Sequence, residues 1–229
     1  MRRLHNITAG LLLAVLTALP GNESVDAADI GILTGTVRVV SEPPYAIRIN
    51  AYPGVAHTTA PSNDTEGKSL IREIVVYLEK VAAPHAIDPP ASPKLTQRGM
   101  EFEPSVLVIL AGQEVGFPNE DPYYHNVFSY SPAKRFDLGR YARGKSKSVV
   151  FEDPGVVQVF CDIHSDMKGT ILVLQNPYFA RPDTETGAFR IPSVPAGRYR
   201  LVVWHPDLET VSREIEVRPG AATPIEVEI

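Results

Sequence analysis

The chain has 229 residues with a single Cys, and its 22 Lys and Arg against 27 Asp and Glu give a formal net charge of −5. A mildly acidic protein with no basic cluster argues against nucleic acid or an anionic membrane as its partner. One cysteine excludes a disulfide framework within the chain, and the length leaves room for one large or two small domains.

Met1-Arg2-Arg3-Leu4 is a positive n-region, and Ile7 to Leu19 is an apolar stretch too short to span a bilayer comfortably. Pro20 and Gly21 break it, and Val25-Asp26-Ala27 places small residues at the minus-three and minus-one positions of a cleavage site. Residues 1–27 are therefore expected to be a secretory signal peptide. The mature protein is expected to be exported, to a bacterial periplasm, with no stable membrane insertion. Cleavage removes Arg2, Arg3, Glu23 and Asp26, so the net charge stays at −5.

After the leader no segment has helical periodicity. Val, Ile, Thr, Tyr and Phe alternate between Pro, Gly and Asn punctuation, which predicts an all-β protein built of sandwiches. Residues 28–83 offer strands at Leu33 to Val40 and Ile71 to Val81. Between them lies a Pro-rich loop, Ser41 to Ser69, with one further candidate strand at Ala46 to Ala51. Residues 84–94 read as a linker. Residues 95–175 offer strands at Gln97 to Phe102, Ser105 to Leu110, Glu114 to Phe117, His125 to Tyr130, Lys134 to Leu138, Ser146 to Phe151, Val156 to Cys161 and Gly169 to Leu174. Residues 176–229 add Gly187 to Ile191, Gly197 to His205, Val211 to Val217 and Thr223 to Ile229.

The chemistry concentrates in Cys161-Asp162-Ile163-His164-Ser165-Asp166-Met167, with His125 upstream in His125-Asn126-Val127-Phe128. Singly, each of these residues reads as packing: a lone Cys is usually a small buried hydrophobe, and Met167 alone would fill a core. Together they are the only Cys, a His with two residues between them, and one of three Met with two residues between it and that His. Thiolate and thioether are soft donors and imidazole suits copper, so His125, Cys161, His164 and Met167 are the candidate ligands of one copper ion. Zinc would call for more Cys or carboxylate. Such spacing requires one tight loop joining two strands, with His125 delivered by a neighbouring strand. Export makes an unpaired Cys an oddity, and coordination would occupy its thiolate.

The stretch from about 97 to 174 resembles the cupredoxin family, Greek-key blue-copper proteins that include plastocyanin and amicyanin. The resemblance is carried by Phe102-Glu103-Pro104, Ala111-Gly112, Val115-Gly116-Phe117-Pro118-Asn119 with Asp121, the pair His125-Asn126, and Cys161, His164 and Met167. The short Cys-His-Met spacing looks like that of amicyanin. The resemblance implies ring-nitrogen coordination by His125 and His164, sulfur coordination by Cys161, and a weak axial bond from Met167. It also implies that the Asn126 amide bonds the Cys sulfur while its side chain ties two ligand loops together. The usual partner in that tie is a Ser or Thr after the Cys; here Asp162 stands there, either in a different tie or simply solvated. An exposed His164 would pass the electron, to a cytochrome or dehydrogenase docked beside it. The protein would not be an enzyme.

Asp183 to Ile191 and Val194 to Leu201 resemble the second half of the carboxypeptidase regulatory-like, transthyretin-related β-sandwich. Gly35-Thr36-Val37 and Val75-Val76-Tyr77-Leu78 look like its first half. A piece of about 50 residues is marginal alone, so the expectation is a second, smaller sandwich split around the copper module. The combination resembles exported plastocyanin-like proteins labelled as methylamine-utilisation proteins.

Three other functions remain open from the residues. A copper-binding or delivery protein without a redox role would have a more open site. A copper oxidase or nitrite reductase would need further histidines, and no His-x-His pair exists. The last is a purely structural β-sandwich. His205, in Trp204-His205-Pro206, is read as structural, while Tyr123 and Tyr124 are read as packing at the rim of the site.

Overall fold

The computed structural model describes residues 30–40, 70–81 and 92–229. The leader and the strand expected at Ala46 to Ala51 lie outside the described residues, as does most of the linker. The described residues are all-β apart from a helical turn at 70–73, and no helix among them is long and apolar enough to cross a membrane.

Two strands precede the central module, β1 (Ile30–Arg38) and β2 (Val75–Glu79). Then come β3 (Thr96–Arg98), β4 (Glu101–Glu103), β5 (Val106–Leu110), β6 (Gln113–Pro118), β7 (His125–Ser131), β8 (Lys134–Tyr141), β9 (Ser146–Phe151), β10 (Gly155–Phe160) and β11 (Lys168–Leu174). Five of these form a sheet in the order β5-β11-β10-β7-β8, with β5 parallel to β11, and the pairs β6-β9 and β3-β4 complete the module. The alternation read from the sequence is the burial pattern observed. Val157 and Val159 of β10 point inward onto Val115 and Phe117 of β6, Val127 of β7 and Phe151 of β9, while Val156 and Gln158 face out. Each such buried side chain contributes about 1.5–3 kcal/mol.

The single strand expected from Gln97 to Phe102 is two short strands. Gly99 and Met100 turn the chain between them at φ of 65° and 63°.

The remaining strands are β12 (Phe179–Ala180), β13 (Ala188–Pro195), β14 (Gly197–Trp204), β15 (Val211–Val217) and β16 (Ala222–Glu228). They pair with the two N-terminal strands in sheets ordered β13-β1-β16 and β12-β2-β14-β15. Gly35 lies opposite Phe189, and Val76 opposite Val203. The second sandwich is thus assembled from chain on both sides of the first. Glycine is required at position 35 because a Cβ there would stand 2.3 Å from the Ile225 carbonyl oxygen and 2.7 Å from the Phe189 ring.

A third apolar cluster joins the sandwiches. Val106, Leu172 and Leu174 from the first pack against Val75, Val202 and Trp204 from the second. Strand β11 is therefore buried on both faces, which explains its unbroken apolar run from Ile171 to Leu174.

Just beyond this seam, His205 is 1% exposed. Its Nδ1 accepts the Asp207 amide at 3.0 Å, and its Nε2 lies 3.8 Å from a Glu73 oxygen with no hydrogen-bond partner. Burial pushes the His205 pKa down against the smaller upward pull of Glu73 and Asp207. The unfolded chain then takes up a proton near pH 6.5 that the folded chain resists, so this group's contribution to stability falls as the pH drops below that value. In His205→Asn, which keeps an acceptor for the Asp207 amide, denaturant midpoints measured from pH 8 to pH 5 should lose less stability than in the wild type. Parallel losses would exclude His205 as the source.

Candidate metal centre

The site forms where the β10–β11 turn meets the start of β7. Asn119 builds the approach to His125: its Nδ2 donates to the carbonyls of Tyr123 and Tyr141 at 2.8 and 3.0 Å, and its Oδ1 accepts the Asp121 amide at 2.9 Å. Being 1% exposed, Asn119 has no competing water, so residues 119–125 are held in one path. On the other side, β10 and β11 stay in register up to Phe160 and Lys168. The loop between them closes through Cys161 N–H to the Met167 carbonyl at 3.3 Å and Met167 N–H to the His164 carbonyl at 3.1 Å.

This framework brings three of the four expected ligands together. The Cys161 Sγ is 3.8 Å from His125 Nδ1 and 3.8 Å from His164 Nδ1, and the two Nδ1 atoms are 3.1 Å apart. His125 is fully buried, Cys161 is 5% exposed, and His164 is half-buried. Met167 is buried in the same core cluster as Cys161. Its backbone closes the loop on both loop ligands.

The triangle has the size of a coordination plane. Bonds of about 2.0–2.1 Å to imidazole and about 2.3 Å to thiolate, opened to trigonal angles, separate the nitrogens by about 3.5 Å and sulfur from nitrogen by about 3.8 Å. The two sulfur–nitrogen edges match, and the nitrogen–nitrogen edge of 3.1 Å is shorter than the trigonal value, so the donors fit one small transition-metal ion with little movement. The soft thiolate among imidazoles selects copper or zinc over magnesium and calcium.

Asp121, placed by the sequence only in the motif that follows Asn119, makes a contact with the His125 ring that the sequence did not announce. Its Oδ2 lies 2.9 Å from His125 Nε2 and accepts the Met100 amide at 2.8 Å, while its Oδ1 accepts the Gly99 amide at 2.7 Å. Burial pushes this carboxyl up, but the hydrogen bonds from Met100, Gly99 and His125 outweigh it and hold it below the usual carboxylate range.

The tie expected from Asn126 is not formed to Asp162. The Asn126 Oδ1 is buried without a hydrogen-bond partner, and Asp162 instead accepts from Arg140 Nη2 at 3.0 Å on the surface. Arg140 lies opposite Asn126 on β8, so this ion pair links the ligand loop to the sheet from outside. Exposed as it is, the pair adds about 0–1 kcal/mol.

The C-terminal stretch, expected to resemble the carboxypeptidase regulatory-like sandwich, instead matches over residues 167–225 the family described as polysaccharide lyase family 4, domain II. No curated protein matches the chain. Similar solved structures include a purple cupredoxin from Nitrosopumilus maritimus, at 24% identity and a TM-score of 0.33, covering 36% of this chain and 99% of that one. A reduced mutant of amicyanin is similar at 19% identity and a TM-score of 0.34, over 43% of this chain and 97% of that one. A copper-containing nitrite reductase from Thermus scotoductus is similar at 21% identity and a TM-score of 0.36, over 61% of this chain and 28% of the reductase.

Proposed function

We propose that the protein is an exported mononuclear type 1 (blue) copper protein that carries single electrons and performs no bond chemistry of its own. The observation that carries this reading is the buried triangle of one sulfur and two Nδ1 atoms, with edges of 3.8, 3.8 and 3.1 Å. His125 and His164 would hold the ion through Nδ1, Cys161 through Sγ, and Met167 through its thioether. Bound copper supplies the acceptance and release of one electron.

The protein's own residues supply the setting. Two strands and a loop closed by its own backbone hydrogen bonds hold the donors at fixed separations, so little rearrangement is needed when the charge changes. Burial of His125, Cys161 and Met167 keeps water away. That closure favours an electron carrier over a delivery protein, which must let its metal leave. His164 is the most accessible ligand, and Tyr123, Tyr124 and Ile163 beside the two histidines are exposed. A cytochrome or dehydrogenase docking there would meet an apolar, aromatic rim through a small, transient interface. The second sandwich, in which Gly187 and Gly197 supply turns as in the carboxypeptidase regulatory-like fold, braces the strand that follows Met167.

Cu(II) added to the purified full chain should produce, at one equivalent, an intense blue thiolate-to-copper absorption that is absent in Cys161→Ala. A colourless product, or copper removed at once by a chelator, would sink the reading.

A further inference from the structure

We infer that Asp121 is the positioning residue of this site: its carboxylate fixes the ring of His125 with Nδ1 as the metal donor and biases the bound ion toward its more highly charged state. The inference rests on the copper reading and deepens it.

A neutral imidazole has one N–H and one lone pair, and its neighbours decide which nitrogen carries which. An ionised carboxylate can only accept. At 2.9 Å from Asp121 Oδ2, His125 Nε2 must therefore be the donor. The lone pair is left on Nδ1, the atom that faces Cys161 Sγ and His164 Nδ1. Asp121 thus sets the tautomer that coordination requires before any metal arrives.

The carboxylate itself cannot swing away. Gly99 N–H holds Oδ1, Met100 N–H shares Oδ2 with the histidine, and Asn119 Oδ1 anchors the Asp121 amide. It is 6% exposed, so water has little access to replace it. A full negative charge, hydrogen-bonded through the ring to the donor atom, makes Nδ1 more basic. It also stabilises the higher charge of Cu(II) more than that of Cu(I). A protein carbonyl at the same place would set the tautomer but supply no net charge.

Asp121→Asn separates these effects from packing. The amide is nearly isosteric and can still accept one hydrogen bond, but it lacks the charge and one of the two acceptor oxygens. In cyclic voltammetry the copper-loaded variant should show a higher reduction potential than the wild type. A tenfold loss of preference for Cu(II) over Cu(I) appears as 59 mV for one electron. Arg98→Ala is the control. It removes the ion pairs of the same hairpin to Glu103 and Glu120, both at 2.6 Å, while leaving the carboxylate in place, and its potential should match the wild type.

A second measurement needs neither variant nor copper. Nitrogen-15 NMR of the metal-free full chain should show His125 protonated at Nε2, with that proton protected from exchange. If the wild type fails to turn blue, the copper reading falls, while the NMR result still decides the tautomer. If the wild type turns blue and Asp121→Asn has an unchanged potential, the charge bias is overturned. His125 protonated at Nδ1, or unprotected at Nε2, overturns the positioning role, whether or not Asp121→Asn folds.

Discussion

Cu(II) held at a free concentration a thousandfold above its dissociation constant should raise folding stability by about 4 kcal/mol, or roughly 8–16 °C in thermal midpoint for a chain of this size. The gain is this large because the metal joins parts of the chain that only folding brings together. His125 stands 36 residues before Cys161 and 39 before His164, on a different strand. The unfolded chain keeps the local Cys161–His164 pair and so retains a weak site, which subtracts from the increment. His125→Ala preserves that local pair and removes the link between β7 and the β10–β11 loop, so copper should add little to its stability. Calorimetry of both proteins with copper and with a chelator measures the difference. An equal shift in His125→Ala would mean that the loop alone binds the ion.

The grouping of His125, Cys161 and His164 could be anticipated from the sequence because it depends on donor chemistry and on spacing within one loop. Cys161 and His164 can meet in few ways when the strands around them end at Phe160 and resume at Lys168. The split sandwich was legible because Gly35-Thr36-Val37 and Val75 to Leu78 resemble the first half of a sandwich whose second half stands at the C-terminal end, a piece too small to be stable alone. What stayed hidden depends on contacts between distant segments. The strand expected from Gln97 to Phe102 bends at Gly99 and Met100, and both turn amides are held by Asp121, more than twenty residues away. No local pattern announces such a partner, particularly at Met100, which takes a positive φ that side chains normally avoid. The same carboxylate meets His125, and sequence cannot decide whether a ligand's far nitrogen will find a side chain or a backbone carbonyl. Asp162 was visible as a departure from the family pattern, but its partner Arg140 became visible only when β8 was placed beside β7. In each case residue types gave the chemistry, while long-range register chose the partner.

The sole tryptophan sits at the seam between the sandwiches, so its fluorescence reports whether they unfold together. Leu172→Ala should separate the two transitions. Leu172 is 3% exposed and packs in the seam cluster with Trp204, Val202 and Val75, whereas its neighbours Ile171 and Val173 belong to the core cluster that includes Cys161 and Met167. Truncating it removes seam contacts at a cost of about 2–5 kcal/mol and leaves that core intact. The first sandwich keeps its own cluster around Phe117 and Phe151, reinforced by the metal cross-link. The second depends on β1 and β2, which reach it only through pairing with strands that follow the insertion. On heating the copper-loaded variant, Trp204 emission should therefore shift to the red while the blue band persists. In the wild type, with the seam intact, both signals should fade together. Coincident loss in Leu172→Ala would instead make the two sandwiches one cooperative unit whose stability does not depend on this side chain alone.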